Sequence, residues 1–133
     1  MQNLNNAIHV QIADILLKNY KIKYFNGKLY IYTNGFYTND ISILERAIID
    51  LNPNIKKKTR EDIFDYIRII KSKEKISVSK DYINFKNCLY NIKDGRKYPH
   101  SSNVFTINQI NAEYINDTLF NEDVEKILEW YYK

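Results

Sequence analysis

The chain has 133 residues, of which 44% are apolar and 27% charged, and this excludes an intrinsically disordered protein and predicts one globular domain. The sequence contains no run of about 18 apolar residues, so no membrane span or membrane partner is expected. A single cysteine, Cys88, excludes an internal disulfide, and the polar residues 1–6 lack the pattern of a secretory signal. Together these features predict a cytoplasmic protein.

The formal net charge of +4 is unevenly distributed along the chain. Residues 1–106 contain 18 Lys and Arg against 10 Asp and Glu, whereas residues 107–133 contain two against six. A basic body predicts a nucleic-acid partner, and an acidic end predicts self-association or contact with a neighbouring domain through residues 107–133. The alternative is a solvated surface on which the lysines are simply scattered.

The first half, residues 1–75, is predicted to form a helix, a β meander and two further helices. The helices are expected over residues 5–19, over residues 40–51 and from Thr59 onward, where Thr59 and Asp62 have the spacing of a capping box. Asn26-Gly27 and Asn34-Gly35 predict tight hairpin turns, because both residue types tolerate positive φ. The core faces of the three helices are predicted to be Leu4, Ile8, Ile12, Ile15 and Leu16; Ile41, Leu44, Ala47, Ile48 and Leu51; and Ile63, Phe64, Ile67 and Ile70.

The second half, residues 76–133, is predicted to form short strands and a C-terminal helix. Strands are expected at 76–78, 82–85, 89–92 and 97–98, with Asp94-Gly95 in the turn before the last of them. The helix is expected from Asn121 and is expected to continue past Lys133, so that the chain is a fragment of a longer protein. The sequence thus predicts a single α+β domain over residues 1–133, in which helices pack against short antiparallel hairpins.

The sequence lacks the patterns of a catalytic centre. Gly27-Lys28 is its one Gly-Lys pair, and it does not belong to a phosphate-binding P-loop. Clustered carboxylates for two metal ions and the Cys or His ligands of a zinc site are also missing. His9 is expected to be a surface or partly buried residue of the first helix. His100 and the serines after it lack an orienting carboxylate, so His100 is expected to be structural, as is Cys88. We therefore expect no cofactor, no metal and no enzyme activity from the chain by itself.

Two groups of residues have the chemistry to hold DNA. The first is the hairpin face of Lys28, Tyr30 and Tyr32, since aromatic rings stack on bases and lysines neutralise phosphate. The alternative is that these aromatics pack as ordinary strand residues. The second group is Lys56, Lys57, Lys58 and Arg60, within residues 55–80, which hold nine basic and four acidic side chains. The alternative there is a solvated helix face.

Residues 82–114 also follow a recognisable order of strand, amide, glycine turn, His-Ser pair, threonine and tyrosine. The residues at these places are Asn87, Asn91, Gly95, His100, Ser101, Thr106 and Tyr114. This order resembles the N-terminal region of phage, plasmid and poxvirus superfamily-3 primase–helicases, although Cys88 stands where that family usually has glycine. The strand pair at 28–37, set between one helix and two, is similar to the family as well.

The resemblance implies a non-catalytic module of a mobile-element DNA-replication protein, lying ahead of an ATP-dependent helicase domain. We expect this module to engage DNA or to assist assembly. One alternative is a protein-interaction or oligomerisation domain without DNA affinity. The other is a standalone regulator of winged-helix type, in which the Asn26-Gly27 hairpin forms the wing. The sequence does not distinguish single- from double-stranded DNA, and it fixes neither an origin nor an oligomeric state.

Overall fold

The computed structural model of the protein describes residues 7–114. Over that range the elements are the helix α1 (Ile8–Asn19), the strands β1 (Ile22–Phe25), β2 (Lys28–Thr33) and β3 (Phe36–Thr38), the helices α2 (Ser42–Leu51) and α3 (Lys57–Lys71), and the strands β4 (Tyr82–Asn84), β5 (Leu89–Asn91) and β6 (Lys97–Tyr98). The strands form two antiparallel three-stranded sheets, ordered β1-β2-β3 and β4-β5-β6. The predicted α+β fold class is confirmed.

The contacts within the chain divide it into two compact units. The first contains the chain up to Tyr32 and Asn39–Ile76, and the second contains Thr33–Thr38 and the chain from Ser77 onward. The second unit is therefore discontinuous in sequence, because the segment Thr33–Thr38 lies between two parts of the first unit.

The first unit has a core shared by its three helices and the β1–β2 hairpin. α1 packs against α2 and α3, and β1 packs against α3. The buried residues are Ile12, Ala13, Leu16, Ile22, Leu29, Ile31, Leu44, Ile48, Ile63, Phe64 and Ile67. The hairpin closes as predicted, because Asn26 and Gly27 both adopt left-handed conformations, with φ of 52° and 80°. At 25 cal/mol per Å² of apolar surface, each fully buried isoleucine or leucine contributes roughly 1.5–3 kcal/mol.

Some expectations for this unit are wrong. Ile8, Ile15 and Leu51 were expected in the core but are 51%, 39% and 48% exposed, because the apolar stripe of each helix is wider than the face that neighbouring elements cover. α3 begins at Lys57, before the predicted start, and its N-cap is Lys56 rather than Thr59. A side-chain cap at Thr59 would have required the chain to enter the helix three residues later. Leu4 lies outside the described residues.

The second unit is built on the β4–β5 hairpin, in which Asn84 lies opposite Leu89. Ile83, Phe85, Cys88 and Tyr114 form its buried cluster. The strand predicted at residues 76–78 is wrong, since these residues lie outside both sheets. Alternating apolar residues indicate alternating burial, but a strand also needs a hydrogen-bonded neighbour. The predicted C-terminal helix from Asn121 lies outside the described residues.

Candidate functional site

The lysine-rich group at the start of α3 lies on one exposed helical turn. Lys56 is the N-cap, with extended backbone (φ −79°, ψ 151°) and no hydrogen bond from its side chain to the helix. Lys57 and Lys58 are the first two residues of α3, and all three lysines are exposed. The first turn contains no acidic residue. The structure therefore brings the three lysines together around backbone N–H groups that have no helical partner.

This arrangement opposes the electrostatics of the helix. The N-terminal end of an α-helix carries a partial positive charge, and acidic residues or Ser, Thr, Asn and Asp caps normally stabilise it. Lys57 and Lys58 offset the effect through ion pairs with Glu61 and Asp62, at 3.9 Å and 2.7 Å. The ion pair with Asp62 also raises the pKa of the Lys58 ammonium. Solvent screens such exposed pairs strongly, so both lysines can exchange their partners readily.

Arg60 completes the basic group in a different way. Its side chain is half-buried, and its Nε atom is buried without a hydrogen-bond partner among residues 7–114. It lines a depression of about 450 Å³ together with Ser42, Glu45, Arg46, Ile49 and Asp50. Arg60 therefore faces α2 rather than extending into solvent beside the three lysines.

The hairpin group lies towards the other end of α3. Lys28 is exposed at the start of β2 and lines a depression of about 170 Å³ that also contains Arg68. Arg68 is 11 residues beyond Lys57, or about 16 Å along the helix axis. The structure thus does not merge the hairpin group with the lysines at the start of α3.

The two tyrosines of the hairpin group, Tyr30 and Tyr32, are partly buried against neighbouring residues. Tyr30 is half-buried, and its ring meets that of Phe25 edge-on, with centroids 6.1 Å apart. Tyr32 is half-buried as well, and burial raises the pKa of its hydroxyl. Both rings retain exposed surface, so the structure leaves stacking on a base and ordinary strand packing open as interpretations of these residues.

Two of the family-like residues, His100 and Thr106, meet at one buried amide, that of Asn84. The Asn84 Nδ2 atom donates hydrogen bonds to the carbonyl oxygen of Gly35 (2.7 Å) and to Thr106 Oγ1 (2.8 Å). Its Oδ1 atom accepts hydrogen bonds from His100 Nε2 and Gln109 Nε2, both at 3.0 Å. Asn84 and Thr106 are fully buried. The amide therefore uses its full capacity of two donated and two accepted bonds.

His100 is fixed by a second acceptor and by a glycine. Its Nε2 atom lies 2.7 Å from the carbonyl oxygen of Phe85, and because both neighbours of this nitrogen are acceptors, Nε2 carries the proton. The Cγ and Nδ1 atoms of its ring lie 2.8 Å from the place where a Cβ on Gly35 would lie, which is too close for a side chain there. Gly35 also has φ of 89°. Its lack of a side chain therefore permits both the β2–β3 turn and the approach of His100.

A second amide, that of Asn87, holds the buried tyrosine of the family-like set. Asn87 Nδ2 donates to the carbonyl oxygen of Tyr114 (2.9 Å), and the Tyr114 N–H donates to Asn87 Oδ1 (2.8 Å). The Tyr114 ring packs against Phe85 and Tyr90, with centroids 5.5 Å and 5.4 Å apart. The β4–β5 turn closes without glycine, since the Phe85 N–H donates to the carbonyl oxygen of Cys88 at 2.9 Å.

The other family-like residues organise turns. Asn91 Oδ1 accepts hydrogen bonds from the backbone N–H groups of Lys93 (2.9 Å) and Asp94 (3.1 Å). Gly95 follows with φ of 70°, which confirms the predicted turn. Ser101 Oγ accepts a hydrogen bond from the Asn103 N–H at 3.1 Å. These side chains bind backbone groups of their own unit, as expected of structural residues.

Sequence reasoning missed Asn84 and Gln109, which complete the buried network. The available signal was Asn84 itself, an amide between Ile83 and Phe85 in a predicted strand, where asparagine is unfavourable unless its side chain is hydrogen-bonded. Within residues 7–114, no group of three or more His, Cys, Asp or Glu residues is arranged to hold a metal ion. In the same part of the chain, no helix has the length and apolar character needed to cross a membrane.

A family model described as D5 N terminal like matches residues 10–132. The chain belongs to this D5 N-terminal-like family. The family is the N-terminal domain found in phage and plasmid primase–helicase proteins, and it is not itself known as catalytic. No curated protein matches the chain. The predicted family is therefore confirmed, and the chain is a D5 N-terminal-like domain of the kind that replication proteins carry.

Proposed function

We propose that this D5 N-terminal-like domain is a non-catalytic DNA-engaging module of a primase–helicase, acting ahead of the ATPase domain. The observation that supports it is the start of α3, where Lys56, Lys57 and Lys58 surround unpaired backbone N–H groups without an acidic or capping residue. This choice of residues lowers helix stability. A phosphate bound there would offset this loss of helix stability, because it pairs with lysines and accepts hydrogen bonds from helix N-terminal N–H groups.

The expected mode is contact with the nucleic-acid backbone. Lysines act as point charges on phosphates and do not read base edges bidentately. Affinity should therefore depend steeply on salt and little on sequence. The ion pairs of Lys57 and Lys58 with acids on the same helix would be exchanged for phosphate contacts at small cost, because each pair is exposed.

The test replaces Lys56, Lys57 and Lys58 together by glutamate and measures binding to single-stranded and duplex oligonucleotides over a range of salt concentrations. The slope of log affinity against log salt should fall by about three, one for each lost phosphate contact. A matched control reverses Lys86, Arg96 and Lys97, which are exposed cations of the second unit, and it should retain the wild-type slope. If both variants lost DNA affinity and salt slope equally, the effect would come from net charge alone, and this would contradict the proposal.

Substitution of Lys56 by serine separates DNA binding from folding. Serine at this extended N-cap position supplies the missing side-chain cap and should stabilise the domain by about 0.5–2 kcal/mol. The same change removes one phosphate contact and should reduce DNA affinity at low salt. A variant that is more stable and binds DNA as well as the wild type would show that Lys56 does not contact DNA.

An assembly role is the second candidate, and exposed apolar residues of the first unit favour it. Ile15, Ile49 and Leu51 are 39%, 40% and 48% exposed. Ile15 and Leu51 line a depression of about 420 Å³ between α1 and α2. Self-association that depends on protein concentration, in a protein without DNA affinity, would favour assembly over DNA engagement.

A further inference from the structure

The outward face of α2 combines an apolar centre with balanced charges. Arg46, Ile49 and Asp50 are spaced three and four residues apart, so they lie on one side of the helix. All three are exposed, with Ile49 at 40%. Neither Arg46 nor Asp50 makes an ion pair with another residue in the described range 7–114. Hydrogen bonds from Ser42 lower the pKa of the exposed Asp40 carboxyl, and the charge of Arg46 makes a smaller contribution in the same direction.

The residues that line the depression on this face have a net charge of zero. The depression that contains Arg46, Ile49 and Asp50 is completed by Ser42, Glu45 and Arg60, so its two arginines balance its two acids. A neutral face with an isoleucine at its centre does not suit DNA, which needs excess positive charge. It suits a protein surface with the same alternation of charge.

The positions of Arg46 and Asp50 on α2 fit a second copy of this chain as the partner. Arg46 and Asp50 are equally distant along the helix from Ile48. The Ile48 side chain itself is buried in the core on the opposite side of α2. A two-fold axis on the outward side of α2, at the level of Ile48 along the helix, would set two α2 helices antiparallel and place Arg46 of each copy opposite Asp50 of the other. Such a surface is complementary to itself, which is the requirement of a closed two-fold interface.

We propose that the α2 face formed by Arg46, Ile49 and Asp50 is a homotypic contact, in which two copies of this chain pair antiparallel with two Arg46–Asp50 ion pairs around the two Ile49 side chains. The ten residues of α2 extend about 15 Å. One helix of this length covers less than the roughly 800 Å² per partner of a standard interface, so the contact is weak and reversible. Its residues differ from Lys56, Lys57 and Lys58, which carry the proposed DNA contact.

The test uses charge reversal in the full chain, followed by sedimentation equilibrium without DNA. The variants Arg46→Asp and Asp50→Arg each place like charges opposite each other, and each should weaken self-association at least about ten-fold. An equimolar mixture of the two variants should associate again, because one copy then presents two acids and the other two arginines. The doubly exchanged variant, Arg46→Asp with Asp50→Arg, should also recover self-association.

Two further variants test the apolar centre. Ile49→Asp should abolish the association, whereas Ile69→Asp should leave it unchanged, since Ile69 is 64% exposed on α3. Recovery in the mixture shows that both charge variants are folded. A wild-type protein that stays monomeric up to millimolar concentration would overturn the proposal. So would association that survives Arg46→Asp, or a mixture that fails to associate.

Discussion

Replacing Asn84 by alanine is expected to destabilise the second unit more than any single surface change. His100 Nε2 and Gln109 Nε2 would each retain a second acceptor, the carbonyl oxygens of Phe85 and Asn34 respectively. The carbonyl oxygen of Gly35 and Thr106 Oγ1 would lose the donor that Asn84 provides. Each buried polar group left without a partner costs about 1–3 kcal/mol. We therefore expect a loss of about 3 kcal/mol in the free energy of unfolding.

Hydrogen exchange of two backbone amides measures this loss within the unit itself. The Tyr37 N–H donates to the carbonyl oxygen of Thr106, and the Ile110 N–H donates to that of Asn84, both at 2.8 Å. A loss of about 3 kcal/mol corresponds to exchange roughly a hundred-fold faster at both amides. The matched control is Asn103→Ala, an exposed asparagine, which should change stability by less than about 0.5 kcal/mol. Equal protection in both variants would refute the role of Asn84 as the centre of the network.

The remaining predictions concern a glycine, an ion pair and a thiol. Gly35→Ala should cost clearly more than Gly27→Ala in urea unfolding. Both residues have positive φ, which costs about 1–2 kcal/mol, but only at Gly35 would the added Cβ meet another residue within 4 Å. Two lysine hydrogen bonds hold the pKa of the Glu74 carboxyl below its ordinary value. Glu74→Gln should therefore lower stability by less than about 1 kcal/mol above pH 4.5, and the difference should vanish as the pH falls through the lowered pKa. Burial raises the pKa of the Cys88 thiol, so its alkylation by iodoacetamide should be slow in the native protein and rapid in urea, and equal rates would contradict its burial.

Most of the first unit follows from local sequence patterns. Apolar spacing in α2 and α3 predicted Leu44, Ile48, Ile63 and Ile67 as core residues, and all four are buried. The Asn-Gly turns were predictable because positive φ is a local property of the residue type. The exposure of Ile15 and Leu51 was not predictable, because it depends on how much of each apolar stripe a distant element covers.

The second unit depends on contacts that are remote in sequence, and sequence reasoning was correspondingly weaker there. Asn84 meets Gly35 across 49 residues and Gln109 across 25, and no local pattern pairs them. The candidate DNA site was also only partly predictable from local sequence patterns. The lysine run at 56–58 was visible in the sequence, but the missing cap was not, because Thr59 offered a helix start that the chain does not use.

The segment Thr33–Thr38 has a consequence for how this chain is synthesised. It leaves the ribosome early, yet the Tyr37 hydroxyl donates to the carbonyl oxygen of Ser102, which is 65 residues later. The nascent chain therefore exposes this segment until the later residues emerge. Because the closure of a long loop delays folding, we expect the first unit to form before the second. A shortened protein that ends near Ile76 would keep β3 but lack the later residues that its Tyr37 contacts, so deletions should not be made at the apparent boundary between the units.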